Sequence, residues 1–192
     1  RNIAYEIPDR LDIDLRDFPA RESSLEAYRT EIVESYDLGL LFGTFLGDGH
    51  AFLNTNGRSE IGRVSWYFGP NEEGLALKTA NAIERVTGKR PKTVTGKVIT
   101  LHLYSLQWAR LLSQLGKRDG KHLPTKYLCS HPSYLQGLYD GLVISDGHVG
   151  AGGRHGFRHT SRAPSELFGV VGHLLNGSVP GGALERGTAG QL

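Results

Sequence analysis

Cysteine, methionine and long apolar runs are nearly or wholly absent from this chain of 192 residues. The single cysteine, Cys129, excludes an internal disulfide framework and any zinc cluster built from several thiolates. It is predicted to be a small buried side chain. No stretch approaches the roughly 18 apolar residues of a membrane-spanning helix, and no secretory leader opens the sequence. We therefore expect a protein that is neither secreted nor membrane-bound.

Charge is unevenly distributed, although the net charge is only +2. Residues 1–37 carry five arginines against ten acids, whereas residues 38–192 carry 17 Lys or Arg against ten acids. The first 35 residues are predicted to form an acidic linker or a packing arm. The basic excess of the remainder suits a phosphate-binding surface, but many unrelated proteins show as much.

Two segments of the chain end in the same way. Residues 38–50 read LGLLFGTFLGDGH, and residues 136–148 read QGLYDGLVISDGH. Aligned at a constant offset of 98 residues, their identical positions include Gly39 with Gly137, Gly43 with Gly141, Asp48 with Asp146, Gly49 with Gly147, and His50 with His148. Matched apolar segments at one offset indicate a duplicated unit.

The first copy, residues 36–130, has the pattern of an αββαββα unit. Residues 51–56 and 63–68 are typical of strands joined by an Asn-Gly turn, and residues 71–87 have helical spacing with Asn71 as the predicted cap. Two further strands and a helix capped by Ser105 follow. In the second copy, residues 131–192, a strand at 154–160 and a helix at 164–175 are predicted. The Gly-rich stretch after Gly177 indicates that its last hairpin and helix are missing.

The glycines of the first motif are spaced four apart, which places them on one helical face. Each costs a helix interior up to about 1 kcal/mol relative to alanine, so close approach by another backbone must compensate. The second motif carries the equivalent stripe of Gly137, Gly141 and Ser145. We therefore expect the two motif helices to pack face to face and in parallel.

Parallel packing would bring Asp48 and Asp146 together at two helix C-termini, where the macrodipole disfavours negative charge. Two neighbouring carboxylates raise one pKa or require a cation, and Mg²⁺ prefers such oxygen ligands. Gly49 and Gly147 are predicted to let the backbone reverse at the helix ends. For one copy alone, an ordinary Asp-Gly turn after a buried helix would be the simpler interpretation.

The segments LFGTFLGDG (residues 41–49) and YDGLVISDG (residues 139–147) resemble the two signatures of single-chain LAGLIDADG homing endonucleases. The resemblance covers roughly residues 36–176, and it depends on the pair because neither nonapeptide matches strictly. Phe42, Thr44, Leu46, Asp140 and Ile144 depart from the consensus. The resemblance implies an α+β fold: a pseudo-symmetric pair of αββαββα repeats packed through two parallel motif helices, with a shortened second repeat.

The resemblance also implies phosphodiester hydrolysis of double-stranded DNA with Mg²⁺ or Mn²⁺. It makes Asp48, Asp146 and Lys121 the candidate catalytic residues, Lys121 because KHLP (residues 121–124) is similar to a lysine-bearing loop of the family. The candidate metal ligands are Asp48, Asp146, Gly47 and Ser145. The candidate DNA-contacting residues are Asn54, Arg58, Arg63, Lys92, Lys97, His102, Arg154, Arg158 and Arg162. His50 and His148 could touch phosphate or lie exposed, and Trp66 and Trp108 are expected in the core.

Several alternatives stay open at the level of sequence. The shortened second repeat suits a maturase or a relic that binds DNA or RNA without cutting, and an unrelated α/β domain would leave its glycine helices apart. The chain could be part of an intein, as the acidic lead-in and the absence of an initiator methionine suggest, or be free-standing or intron-encoded. We expect a monomer with pseudo-dimeric halves, or a dimer if the second half is incomplete, located on DNA in the cytoplasm.

Overall fold

The computed structural model describes residues 7–20, 30–54, 60–149, 155–157 and 162–176, without the side chains of 119, 146–149, 155–157, 162 and 176. The first unit runs α1 (Tyr36–Asp48), β1 (Gly49–Asn54), β2 (Ile61–Phe68), α2 (Glu73–Thr87), β3 (Lys92–Thr95), β4 (Ile99–Leu103) and α3 (Leu106–Ser113). The second unit runs α4 (Pro132–Asp146), β5 (Gly147–Val149), β6 (His155–Phe157) and α5 (Arg162–Asn176). The predicted α+β fold is confirmed, and the residues after 176, where the predicted shortening of the second repeat falls, lie outside the described ones.

The two motif helices, α1 and α4, pack against each other in parallel through their glycines. A Cβ on Gly39 would lie 2.6 Å from the Leu138 nitrogen, and one on Gly43 would lie 2.8 Å from the Gly141 Cα. Contacts thus advance in the same direction along both helices. Because only backbone stands in the way, the glycines are required for this approach, and the unrelated α/β alternative is excluded.

The first sheet is antiparallel, with the strand order β1-β2-β4-β3. Its inner face carries Val64, Trp66, Leu101 and Leu103, which are fully or almost fully buried. These side chains share one core with apolar residues of α1, α2 and α3, including Trp108. All three helices therefore cover one face of the sheet, and the other face is left without a helix from this unit. Burial of Trp66, Trp108 and Cys129 agrees with the sequence prediction.

The residues that cap the helices agree with the sequence prediction at Ser105 and Gly88 and differ from it at the start of α2. The Ser105 hydroxyl accepts from the Trp108 nitrogen at the start of α3, and Gly88 ends α2 in the left-handed region with φ 74°. The prediction that Asn71 caps α2 is wrong. The helix begins at Glu73, and the side chain of Glu72 instead accepts a hydrogen bond from the Gly69 nitrogen (2.6 Å).

Residues 7–20 lie against the first unit. Leu15 and Phe18 are buried in the core, and the Leu15 carbonyl accepts a hydrogen bond from Gln107 Nε2 (3.2 Å). Further along this segment, the Asp12 nitrogen donates to the Lys126 carbonyl (3.0 Å). The described part of the acidic lead-in is therefore packed onto the fold.

The second unit is smaller within the described residues. Strands β5 and β6 pair antiparallel over three residues each, and α5 packs on α4, where Tyr139 and Phe168 stack with ring centroids 4.8 Å apart. The predicted strand at 154–160 and helix at 164–175 correspond to β6 and α5. Across the described residues, no helix is both long and apolar enough to cross a membrane.

Candidate active site and nucleic-acid interface

The two acids end the two parallel helices on the same side of the molecule. Gly43 and Gly141 meet at the helix crossing, and Asp48 and Asp146 each lie five residues further on as the last residue of α1 and α4. At 1.5 Å per residue, both stand about 7.5 Å beyond the crossing in the same direction. Asp48 is exposed. The side chain of Asp146 lies outside the described residues, so its position is fixed only by the backbone of α4.

Gly49 leaves α1 in an extended conformation, with φ −83° and ψ 153°, and β1 begins at once. The predicted reversal of the backbone at this glycine is therefore wrong, because the chain continues directly into the sheet. Glycine is needed here for space: a Cβ would lie 2.5 Å from the Phe45 Cα. The consequence is that Asp48 stands at the junction between the motif helix and the first strand.

Lys121 lies buried beneath the C-terminus of α1, with only 6% of its surface exposed. Its Nζ donates to the Phe45 carbonyl (3.0 Å) and the Gly47 carbonyl (2.5 Å), and it lies 5.5 Å from the centre of the Phe45 ring. The last carbonyls of a helix lack intrahelical partners and carry its negative dipole end. The ammonium group therefore places a positive charge one residue before Asp48.

The other two candidate metal ligands, Gly47 and Ser145, already make hydrogen bonds within the protein. The Gly47 carbonyl accepts from Lys121, although a carbonyl oxygen has a second lone pair. The Ser145 hydroxyl donates back to the Gly141 carbonyl (3.0 Å) and the Leu142 carbonyl (3.2 Å). Its main-chain carbonyl remains at the end of α4 beside Asp146. Among the described side chains, which do not include that of Asp146, no three His, Cys, Asp or Glu residues form a metal-binding cluster.

The outer face of the first sheet carries a row of polar residues across all four strands. In register, His50 pairs with Ser65, Ser65 with His102, and His102 with Lys92. The Ser65 hydroxyl lies 2.8 Å from His102 Nδ1. In the adjacent row Phe52 pairs with Arg63. The row begins two residues after Asp48, so a polar surface extends from the acids across the sheet.

Arg63 is the most unusual side chain on this face. Its guanidinium carbon lies 5.7 Å from the centre of the half-exposed Phe52 ring. Its Nε is buried, and within the described part of the chain it has no hydrogen-bond partner. A buried donor without a partner is costly.

Cations surround His50 at the start of this surface. Burial lowers the pKa of His50 first, and the charges of Lys117, Arg63, Lys121 and Arg118 lower it further. Burial likewise lowers the pKa of His102, followed by the charges of Arg63 and Lys92. Several cations therefore lie close enough to His50 and His102 to lower both pKa values, and positive charge of this kind attracts a polyanion.

The predicted DNA-contacting residues are placed as follows. Asn54, Arg63, Lys92 and His102 lie on β1 to β4 at the outer-face positions, and Lys97 lies in the turn between β3 and β4. Arg162 is the first residue of α5, and its side chain is not described. Arg58, Arg154 and Arg158, like the Asn56-Gly57 turn, lie outside the described residues.

Three residues of this surface were not singled out from the sequence. Ser65 reads as part of an apolar strand and is revealed only by the strand register. Lys117 and Arg118 lie in a short basic segment, KRDGK (residues 117–121), which follows α3. The run of basic residues could have been identified from the sequence as a candidate phosphate-binding segment. That it lies near His50 could not, because this depends on how a turn far from the motif in sequence folds back.

Comparison with known proteins places this geometry in a known fold. No protein-family model matches the chain, and no curated protein matches it. Among solved structures, I-DmoI in complex with DNA and Mn matches with a TM-score of 0.52 and 14% identity over 75% of this chain and 80% of the other. I-DmoI in complex with DNA and Ca matches with a TM-score of 0.51 and 14% identity over 73% and 72%. A variant, I-DmoI Q42AK120M, bound to nicked target DNA with Mn, gives 0.51 and 16% over 73% and 76%.

These structures are of a homing endonuclease, I-DmoI, whose fold is of the LAGLIDADG type. At 14–16% identity, the likeness concerns the fold. This chain therefore shares its overall fold with I-DmoI.

Proposed function

We propose that this chain is a LAGLIDADG homing endonuclease that cuts double-stranded DNA at a specific site with Mg²⁺ or Mn²⁺. One observation carries the proposal. The glycine-faced helices pack in parallel, so Asp48 and Asp146 end on the same side, beside a sheet face lined with cations. The fold shared with DNA-bound I-DmoI supports the same reading.

The donor groups at the two helix ends suit a hard divalent cation. Two aspartates end adjacent parallel helices, and the main-chain carbonyls of Gly47 and Ser145 precede them. Such a set of oxygen donors is typical of Mg²⁺ and Mn²⁺. When bound, a divalent metal would polarise the scissile phosphate and activate water.

The protein's own residues then have separate roles. Asp48 and Asp146 hold the metal and place it at the edge of the DNA-facing surface. Lys121 offsets the helix dipole beneath Asp48 through its bonds to the Phe45 and Gly47 carbonyls, and so keeps the local charge favourable for a phosphate. Asn54, Arg63, Lys92, Lys97 and His102 orient the duplex on the outer face of the sheet, with base-edge contacts for sequence and phosphate contacts for register.

The function is tested by selecting the DNA that the protein prefers and asking whether it is cut. Duplexes bound from a randomised library, without divalent metal, are sequenced, resynthesised and incubated with Mg²⁺. We expect double-strand cleavage that chelation abolishes. Asp48→Asn and Asp146→Asn should each lose cleavage and keep binding.

The matched control for these variants is Glu73→Gln. Glu73 is exposed in the first turn of α2, on the helix side of the sheet, so the same loss of charge should leave cleavage unchanged. Cleavage retained in either aspartate variant would refute the assignment of the acids.

Binding without cleavage is the second candidate function. The observation in its favour is the size of the second unit, whose described strands β5 and β6 have three residues each, against four to eight in the first sheet. A maturase or a relic would retain tight binding to DNA or RNA and leave the selected duplex intact with Mg²⁺.

We also propose a location, a genetic origin and an oligomeric state for the protein. We infer an enzyme associated with DNA in the cytoplasm. Insertion in an intein remains a prediction, and the sequence on both sides of the chain tests it directly, since splicing junctions would be found there. A monomer with pseudo-dimeric halves is expected, which sedimentation in the presence of the selected duplex would distinguish from a dimer.

A further inference from the structure

The segment between α3 and the 3-10 helix Thr125–Tyr127 contains charged residues to which the proposed function assigns no role. A turn within it, residues 116–122, is held by hydrogen bonds from the Gly120 nitrogen to the Lys117 carbonyl (3.0 Å) and from the His122 nitrogen to the Leu115 carbonyl (2.9 Å). Lys121 anchors it to the end of α1. The turn is therefore fixed next to Asp48.

The turn carries two exposed cations close to the end of α1. Lys117 and Arg118 are both exposed, and the Arg118 carbonyl accepts a hydrogen bond from the main-chain nitrogen of Lys121 (3.2 Å), the residue whose ammonium group is bonded to the end of α1. Neither makes an ion pair with a carboxylate in the described part of the chain, whereas Arg85, Arg90 and Arg110 each do.

Arg118 also has a backbone conformation that its side chain does not favour. Its φ is 49°, and it is the only non-glycine residue with positive φ among those described. The left-handed region costs an ordinary residue about 1–2 kcal/mol, which glycine would avoid. An arginine retained at such a position suggests that its side chain serves binding.

We propose that Lys117 and Arg118 form a clamp for a DNA backbone phosphate next to the acid pair. A guanidinium binds phosphate with paired N–H donors, and a lysine binds it as a point charge. The clamp fixes the strand that passes Asp48 and reads no bases.

The inference rests on the proposed function, because it assumes that the outer face receives DNA. Its test measures binding rather than cutting. The probe is a labelled random-sequence duplex of about 30 base pairs, titrated without divalent metal between about 50 and 200 mM salt. Each phosphate contact contributes about 0.9 to the slope of log affinity against log salt.

We expect Lys117→Gln and Arg118→Gly each to reduce this slope by about 0.9, equivalent to about 8-fold weaker binding at 0.1 M salt. Arg118→Gly should also unfold at the same temperature as the parent or higher, because glycine relieves the positive φ. Lys78→Gln is the control: Lys78 is an exposed cation of α2, on the helix side of the sheet, and its loss should leave the slope unchanged.

The outcomes separate the two proposals. If the parent protein binds the duplex but Lys117→Gln and Arg118→Gly behave like Lys78→Gln, the clamp is refuted and the proposed function stands. If the parent shows no salt-dependent binding, both are refuted. Weaker binding by Arg118→Gly together with a lower unfolding temperature would indicate a structural role and would also overturn the clamp.

Discussion

Replacing Gly43 by alanine is the sharpest test of the helix pair that positions the acids. The added Cβ would lie 2.8 Å from the Gly141 Cα and 2.9 Å from the Leu142 nitrogen, both backbone atoms of α4. Ordinary carbon contacts are about 3.5–4.0 Å, so the helices must move apart by close to 1 Å. Overpacking of this kind costs about 1–3 kcal/mol, and here it is expected at the upper end because no flexible side chain can yield.

Alanine also favours the helix by about 1 kcal/mol over glycine, which offsets part of that cost. We therefore expect Gly43→Ala to lower the free energy of unfolding by about 2 kcal/mol, or the melting temperature by about 4–8 °C. Gly74→Ala is the matched control, because a Cβ on Gly74 in α2 meets nothing within 4 Å. It should raise the melting temperature.

Thermal unfolding followed by circular dichroism measures both variants under the same conditions. If Gly43→Ala proves as stable as the parent, or more so, the close backbone contact between α1 and α4 is refuted. The same steric argument would then fail for Gly141, whose Cβ would lie 2.8 Å from the Gly43 Cα.

Three further predictions concern single side chains. Lys121→Met should lower the free energy of unfolding in urea by about 1–3 kcal/mol, since it leaves the Gly47 carbonyl without its donor; unchanged stability would contradict the capping role. Ser105→Ala should cost about 1 kcal/mol by the same measurement, because the hydroxyl caps α3; no loss would show the cap to be dispensable. Burial and the charges of Arg63 and Lys92 lower the pKa of His102, so the unfolded chain binds more protons below about pH 6.5 and the fold loses stability as pH falls. His102→Gln should reduce the drop in melting temperature between about pH 7.5 and 5.5, and an equal drop would refute this.

The motif helices were predictable because their signal is local and repeated. Four-residue glycine spacing in two segments at one offset specifies which faces must meet, and the structure places Gly43 against Gly141 accordingly. The position of Asp48 could be predicted from the same pattern, because it lies five residues beyond Gly43, where the two helices cross. Helix and strand spans between the motifs were also readable from their periodicity.

Features that depend on contacts distant in sequence were not predictable. Periodicity identifies β1 to β4 but not their order or register, so the row from His50 to Lys92 became visible only in the sheet. Lys121 was identified only through the likeness of its loop to that of a known family, and its burial under α1 depends on the turn after α3, which folds back beneath the helix. Asn71 does not cap α2, because the helix begins at Glu73 and Glu72 occupies the cap position.

Asp48 and Asp146 are proposed to hold the catalytic metal jointly against DNA. A crystal structure of the protein with its selected duplex and Mn²⁺, with the ion located by anomalous scattering, tests this proposal. We expect an anomalous peak within coordination distance of both carboxylates, about 2.0–2.6 Å, and in contact with a DNA phosphate. A manganese peak bound elsewhere, or carboxylates too far apart to share an ion, would contradict it.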